Sequence, residues 1–233
     1  MSDTNLLKLP LLDAAQAQKH VTLNEALVRT DVLAAARAEG VVFAEPAAPA
    51  DGTAWIVGTA AGGVFVGHDD KLALFLNGGW EFVSPWAGAR FWVADEALWA
   101  TFDGADWVTD HVAGSPGGAA TLMRVIEHDH VLAAGTTSST DPVIPDKAIV
   151  IGVTARVTEA IGGAGSWSLG IAGSPDRYGS GYGTGVGGFA HGVTGQPQAY
   201  YGGTSLDVTS NGPAFTSGRL TIAVHCLEIA PPA

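Results

Sequence analysis

At 233 residues the chain is long enough to bury two small cores, and two modules are expected. Eleven Lys plus Arg against 23 Asp plus Glu leave a net charge of −12, so the surface lacks the cationic field that nucleic acid or an anionic membrane would need. Charged residues make up only 15% of the chain and glycines number 32, which suits turn-rich β structure or a surface partly covered by neighbours.

The single cysteine, Cys226, excludes an internal disulfide and a Cys-based zinc site, and fits folding in a reducing cytoplasm. No basic segment precedes a long apolar run, and no stretch approaches about 18 uninterrupted apolar residues. A soluble protein without membrane insertion is expected, whose release from the cell would require lysis or an unusual route.

From Leu23 to Glu39 the residues Leu23, Ala26, Leu27, Thr30, Leu33, Ala34 and Ala38 share one face at helical spacing. Thr22 with Glu25 forms a capping-box signal at the start, and Gly40 stands at the end. Val28 and Val32 lie on the opposite face, so either both faces are buried or one meets another subunit. Residues 1–40 are expected as an N-terminal helical segment for assembly.

Residues 41–112 read as a small Trp-rich β module. Trp55-Ile56-Val57, Val64-Phe65-Val66, Leu72 to Leu76 and Trp80 to Val83 predict strands, and Asn77-Gly78 predicts a hairpin turn. Phe75-Leu76-Asn77-Gly78-Gly79-Trp80 is echoed by Thr101-Phe102-Asp103-Gly104-Ala105-Asp106-Trp107. Likewise Gly52-Thr53-Ala54-Trp55-Ile56-Val57 is echoed by Gly88-Ala89-Arg90-Phe91-Trp92-Val93. The copies are unequally spaced, which predicts an imperfect duplication of a small β unit. Six of the seven tryptophans fall between Trp55 and Trp107 and are read as core rings, with a ligand platform as the alternative for any of them.

Residues 113–119, with Gly114-Ser115-Pro116-Gly117-Gly118, are expected as a linker to a C-terminal domain over 120–233. From Gly114 onward lie 22 of the 32 glycines and all four tyrosines. Leu122 to Ile126, Ala148 to Val157, Ser166 to Ile171 and Arg219 to Ile229 predict strands, the last expected to be buried on both sides, of a jelly-roll-like β-sandwich. The fold class is therefore mostly β, with an N-terminal helix, the Trp-rich module and the sandwich.

Gly183 to Gly188 match G-x-G-x-x-G by letter, but nothing helical follows, so no dinucleotide cofactor is expected. His128-Asp129-His130 puts two imidazoles on one side of a strand, either as partial metal ligands or as a polar strand face, and no third ligand is identifiable. No nucleophile elbow, zincin motif or P-loop is present. Asp69-Asp70 and Asp95-Glu96 read as turns, although only spatial separation decides whether two carboxylates could hydrolyse a glycoside. The expectation is a protein that is not an enzyme and has neither cofactor nor metal. The loop Ser174 to Tyr182 joins aromatic faces with Asp, Arg and Ser groups, the mixture that stacks on sugar rings and bonds their hydroxyls; local pairing of Asp176 with Arg177 and packing of Tyr178 would explain the same residues.

The run Ala14-Ala15-Gln16-Ala17-Gln18-Lys19-His20-Val21-Thr22-Leu23-Asn24-Glu25-Ala26-Leu27 resembles the N-terminal signature of an uncharacterised domain family that recurs in tail-fibre and head-spike proteins of prophages and gene transfer agents. The Trp-Ile-Val, Asn-Gly-x-Trp and Asp-Gly-x-x-Trp elements match its continuation. Val150 to Thr158, Trp167 to Gly173 and Asp176 to Gly181 are similar to a β domain often attached to it.

The resemblance implies a head-spike or tail-fibre component at the surface of a virion-like particle. Such a protein would attach to recipient-cell surface polysaccharide, contact other spike or capsid proteins, and form a homo-oligomer, by analogy a trimer. The glycan-binding residues expected are Trp167, Asp176, Arg177, Tyr178, Tyr182, Tyr200 and Tyr201. The alternative is a spike base or connector without glycan binding.

Overall fold

The computed structural model describes residues 3–12 and 19–232. The chain is mostly β and divides into two compact units, Met1–Asp110 and His111–Ala233.

In the first unit helix α1 spans Lys19–Ala35, four residues earlier at both ends than the sequence suggested. Thr22 therefore sits inside the helix and cannot be its N-cap; its side chain, like residues Ala14–Gln18 of the signature, lies outside the described residues. The helix stops at Ala36, in the left-handed region at φ 49, because Arg37–Ala38 (β1) turns away to pair with a sheet. Tertiary pairing overrides a helical pattern that runs on to Glu39.

Both faces of α1 are partly packed, and on the face read as apolar Leu27 and Leu33 are half-buried, Leu33 against the core. Val32 is fully buried and Val28 half-buried, whereas Leu23, Ala26, Thr30 and Ala34 are exposed. Asn24, Val28, Asp31 and Val32 fall at i, i+4, i+7 and i+8, and the two polar members of this stripe bond to main chain. The Asn24 amide accepts from the Leu12 N–H at 2.9 Å and donates to the Leu12 carbonyl at 3.0 Å. The buried Asp31 carboxylate accepts from the N–H groups of Leu6 and Leu7 at 2.8 and 2.6 Å.

Two four-stranded sheets follow. Val41–Val42 (β2), Thr53–Val57 (β3), Leu72–Leu76 (β4) and Gly79–Val83 (β5) form one; β1, Arg90–Val93 (β6), Leu98–Phe102 (β7) and Trp107–Thr109 (β8) form the other. The expected duplication holds at the level of individual bonds. Gly52 N–H donates to Phe75 O as Gly88 N–H donates to Phe102 O, and both glycines have positive φ. Trp92 N–H bonds Ala36 O and Ala94 N–H bonds Ala38 O, just as Ile56 N–H bonds Gly40 O and Gly58 N–H bonds Val42 O.

Strand copies lie 36 positions apart (Gly52 to Gly88) and hairpin copies 27 (Phe75 to Phe102), so the first copy carries nine more residues between β3 and β4 than the second carries between β6 and β7. This longer connection holds Phe65 in a 3-10 turn, Gly63–Phe65, where a strand over Val64–Val66 was expected. Phe65 and Ala61 cap the face formed by Val57, Ala73, Trp80 and Phe82. The other face of the same sheet, Ala54, Ile56, Leu72 and Leu74, packs against Phe91, Val93, Ala100 and Phe102 of the second copy, with Val32 from α1.

Among the described residues nothing caps the outer face of the second copy in this way. Trp92 and Trp99 meet edge to face at 5.5 Å, Arg90 lies 4.9 Å above Trp99, and Trp99 stays 43% exposed. Thus Trp55, Trp80 and Trp107 pack as core rings, while Trp86 and Trp99 do not.

The second unit is a sandwich. A five-stranded sheet runs in the order Phe189–Ala199 (β14), Ile149–Gly162 (β12), Ser217–Ala230 (β16), Ala120–Val131 (β10), His111–Gly114 (β9). A three-stranded sheet runs Thr137–Ile144 (β11), Thr204–Ser210 (β15), Trp167–Gly170 (β13). Leu220, Ile222, Val224 and Cys226 of β16 face Leu169, Leu206 and Val208 across one core. The alternate residues of β16 are half-exposed, so only one of its faces is fully buried.

The segment expected as a linker at 113–119 is instead a hairpin turn between β9 and β10, closed by Ser115 N–H to Ala119 O at 2.8 Å. Gly183–Gly188 is a loop that runs into strand β14.

Candidate functional site

Four of the residues expected to bind glycan form a column inside the sandwich. Trp167 is fully buried, donates its indole N–H to Gly183 O at 2.9 Å, and packs 4.9 Å from the half-buried Tyr182 ring. The Tyr182 hydroxyl donates to Tyr178 O at 2.6 Å, and the buried Tyr178 hydroxyl meets that of buried Tyr200 at 2.7 Å. A Cβ on Gly192 would collide with the Tyr178 carbonyl, which is why β14 carries glycine there. Burial first, then the Tyr200 hydroxyl, push the Tyr178 pKa far above the ordinary phenolic value. These rings are structural in this fold. Asp176 is exposed in the adjoining turn, and Arg177 is half-buried.

Tyr200 and Tyr201 point in opposite senses, and the second is 83% exposed. The main chain beneath them is fixed: Lys147 N–H donates to Tyr200 O at 2.7 Å, Tyr200 N–H to Ala148 O at 3.0 Å, and Gly202 N–H to the Asp146 carboxylate at 2.6 Å. The main chain that carries Tyr201 is thereby bonded on both sides, while the ring itself stands in water.

Beside that ring lies an open cleft of about 630 Å³. Tyr201, Gln198, Thr204, Ser205, Ser139 and Asp207 supply its polar groups and its exposed ring, with Ile171 and Ala172 along one side. Its floor is the outer face of the three-stranded sheet, where Ser139 Oγ donates to the Asp207 carboxylate at 2.6 Å. The arrangement offers hydroxyls, a carboxylate, a side-chain amide and a ring face, which suits hydrogen bonding and stacking without covalent chemistry.

Asp207, Ser139, Gln198, Thr204 and Ser205 were not singled out from sequence. The available signal was the alternation in Ser205-Leu206-Asp207-Val208-Thr209, whose polar members share a face.

His128 and His130 have ring centroids 6.3 Å apart. His130 is buried and its Nε2 lies 2.8 Å from Ser138 Oγ, whose oxygen also accepts from Ala133 N–H at 2.9 Å. Burial, then the neighbouring His128, lower its pKa. Among the described residues no three His, Cys, Asp or Glu side chains converge as a metal site requires.

Residues 23–108 match a family model described as "Protein of unknown function (DUF2793)". The match runs from α1 to β8 and so takes in both copies of the duplicated β unit. No curated protein matches the chain.

Proposed function

We propose that the chain is a non-catalytic attachment protein of a phage-like particle, whose second unit recognises recipient-cell surface polysaccharide. The observation that carries this reading is the Tyr201 ring, exposed to solvent beside the hydroxyl and carboxylate groups of Asp207, Ser139 and Thr204. Sugars present apolar C–H faces and ordered hydroxyls, and this surface offers the complement of both. The resemblance of the N-terminal unit to domains of tail-fibre and head-spike proteins supports assignment of that unit to assembly.

With a net charge of −12 the protein gains nothing from attraction to acidic capsule, so affinity per site is weak. Several copies on one particle would raise apparent binding on the order of 100-fold. The test is retention of purified full-length protein on immobilised recipient capsule. Retention by the wild type and its loss in Tyr201→Ala support the reading, and retention of neither, or equal retention of both, refutes it.

A second reading, a spike base that binds only particle proteins, is favoured by the uncapped face of Trp92, Trp99 and Arg90 in the first unit. In that case the protein binds other particle components and no glycan, and Trp99→Ala rather than Tyr201→Ala weakens the contact.

A further inference from the structure

The cleft beside Tyr201 is electrostatically one-sided. Its floor is the outer face of the three-stranded sheet, and the strands β11, β15 and β13 contain two carboxylates, Asp141 and Asp207, and no Lys, Arg or His. Asp207 lines the cleft, and none of the residues lining it is a cation. Asp141 is exposed two places beyond Ser139 on β11.

The cations of the adjoining turns are engaged elsewhere. Lys147 lies 3.9 Å from the Asp146 carboxylate, which itself accepts from Gly202 N–H at 2.6 Å. Arg177 interacts with the buried Tyr178 hydroxyl, and neither Lys147 nor Arg177 lines the cleft. The turn that carries Tyr201 therefore brings a carboxylate together with its own counter-ion, and no surplus positive charge.

Asp207 is also set up as an acceptor. Ser139 Oγ donates to its Oδ1 at 2.6 Å, which leaves the lone pairs of Oδ2 for a ligand proton. A sugar hydroxyl, amide N–H or ammonium brings such a proton. A ligand carboxylate, sulfate or phosphate diester brings none at neutral pH and adds like charge. Like charges about 4 Å apart weaken binding about fivefold even at the dielectric of water, and more where the cleft excludes it. The Gln198 amide and the Thr204 and Ser205 hydroxyls are uncharged and do not offset that repulsion. The net charge of −12 acts in the same direction.

We propose that the Tyr201 cleft selects sugars without anionic groups, and that Asp207 sets the choice. A neutral or amino-bearing sugar stacks on Tyr201 and gives a hydroxyl or N–H proton to Asp207, whereas uronic, sialic, sulfated and phosphorylated sugars are turned away. The inference rests on the reading of this cleft as a polysaccharide site and adds the class of polysaccharide.

The test is retention of the full-length protein on recipient capsule in three forms of one polymer: as isolated, with its carboxyl groups reduced to alcohols, and with primary hydroxyls oxidised to carboxylates. The reduced form should retain the protein as well as the isolated form or better. The oxidised form should retain it at least about fivefold less at low salt, and the gap should narrow as ionic strength rises. In Asp207→Asn, whose amide oxygen can still accept from Ser139, the ratio of isolated to oxidised retention should fall at least about twofold, with the melt unchanged. Glu96→Gln, the same change of charge on an exposed turn of the first unit, should leave the ratio at the wild-type value. Equal or stronger retention on the oxidised form, loss of retention on the reduced form, or a ratio that Asp207→Asn leaves unchanged overturns the inference and leaves glycan recognition standing. Retention on none of the three forms refutes the reading of the cleft itself, and the inference with it.

Discussion

The hydroxyls of Tyr178 and Tyr200 meet at 2.7 Å inside the sandwich, out of reach of water. Tyr178→Phe leaves the Tyr200 hydroxyl without this partner and should cost about 1–3 kcal/mol. Tyr178→Ala adds a cavity and should cost about 3–5 kcal/mol. Equilibrium denaturation measures both, and a loss below 0.5 kcal/mol in the alanine variant, about the limit for surface changes, would contradict the burial.

The same pair makes stability alkali-sensitive. The folded-state pKa of Tyr178 is raised, so the unfolded chain releases this proton first, near pH 10. Stability is full below that pH and falls as pH rises through it. Melting temperature followed from pH 8 to about 11 should decline more shallowly in Tyr178→Phe.

His130 gives the opposite dependence. Its folded-state pKa is lowered by burial and then by His128, with Ser138 and Asp141 acting the other way, so the unfolded chain takes up the proton first. Stability is full above about pH 6.5 and is lost as pH falls. The denaturation midpoint at pH 7.5 minus that at pH 5 should shrink in His130→Asn, and an unchanged difference would remove His130 as the sensor.

Tyr201→Ala and Asp207→Asn should each reduce capsule retention about 10-fold or more, since stacking on one ring and one charged hydrogen bond each contribute about 1.5 kcal/mol. Melting temperature should move little for Tyr201→Ala, because that ring is already in solvent.

Asp31→Ala removes the acceptor for two main-chain N–H groups, Leu6 and Leu7. Their amide protons should exchange at least about tenfold faster, as expected where a local hydrogen-bonded contact is lost. Protection unchanged in the variant would mean that something other than this carboxylate holds the segment.

The β class, the duplicated hairpin with its Asn77-Gly78 turn, and the strands Trp55–Val57 and Arg219–Ile229 were legible because they depend on local patterns: alternation, turn chemistry and repeated letters. Strands β11 and β14 were not, since Pro142 and Gly192 interrupt the pattern at a register shift and on an edge strand that only neighbouring strands define. The polar contacts of α1 were hidden for a similar reason: Asn24 and Asp31 read as solvent-facing until the segment they bond, Leu6 to Leu12, is placed against them. Sequence placed the tyrosines together in a glycine-rich half but could not divide them. Packing decided that Tyr178 and Tyr200 fill the core while Tyr201, one residue on, stands in water, because burial is a property of the assembled sheets and not of the residue.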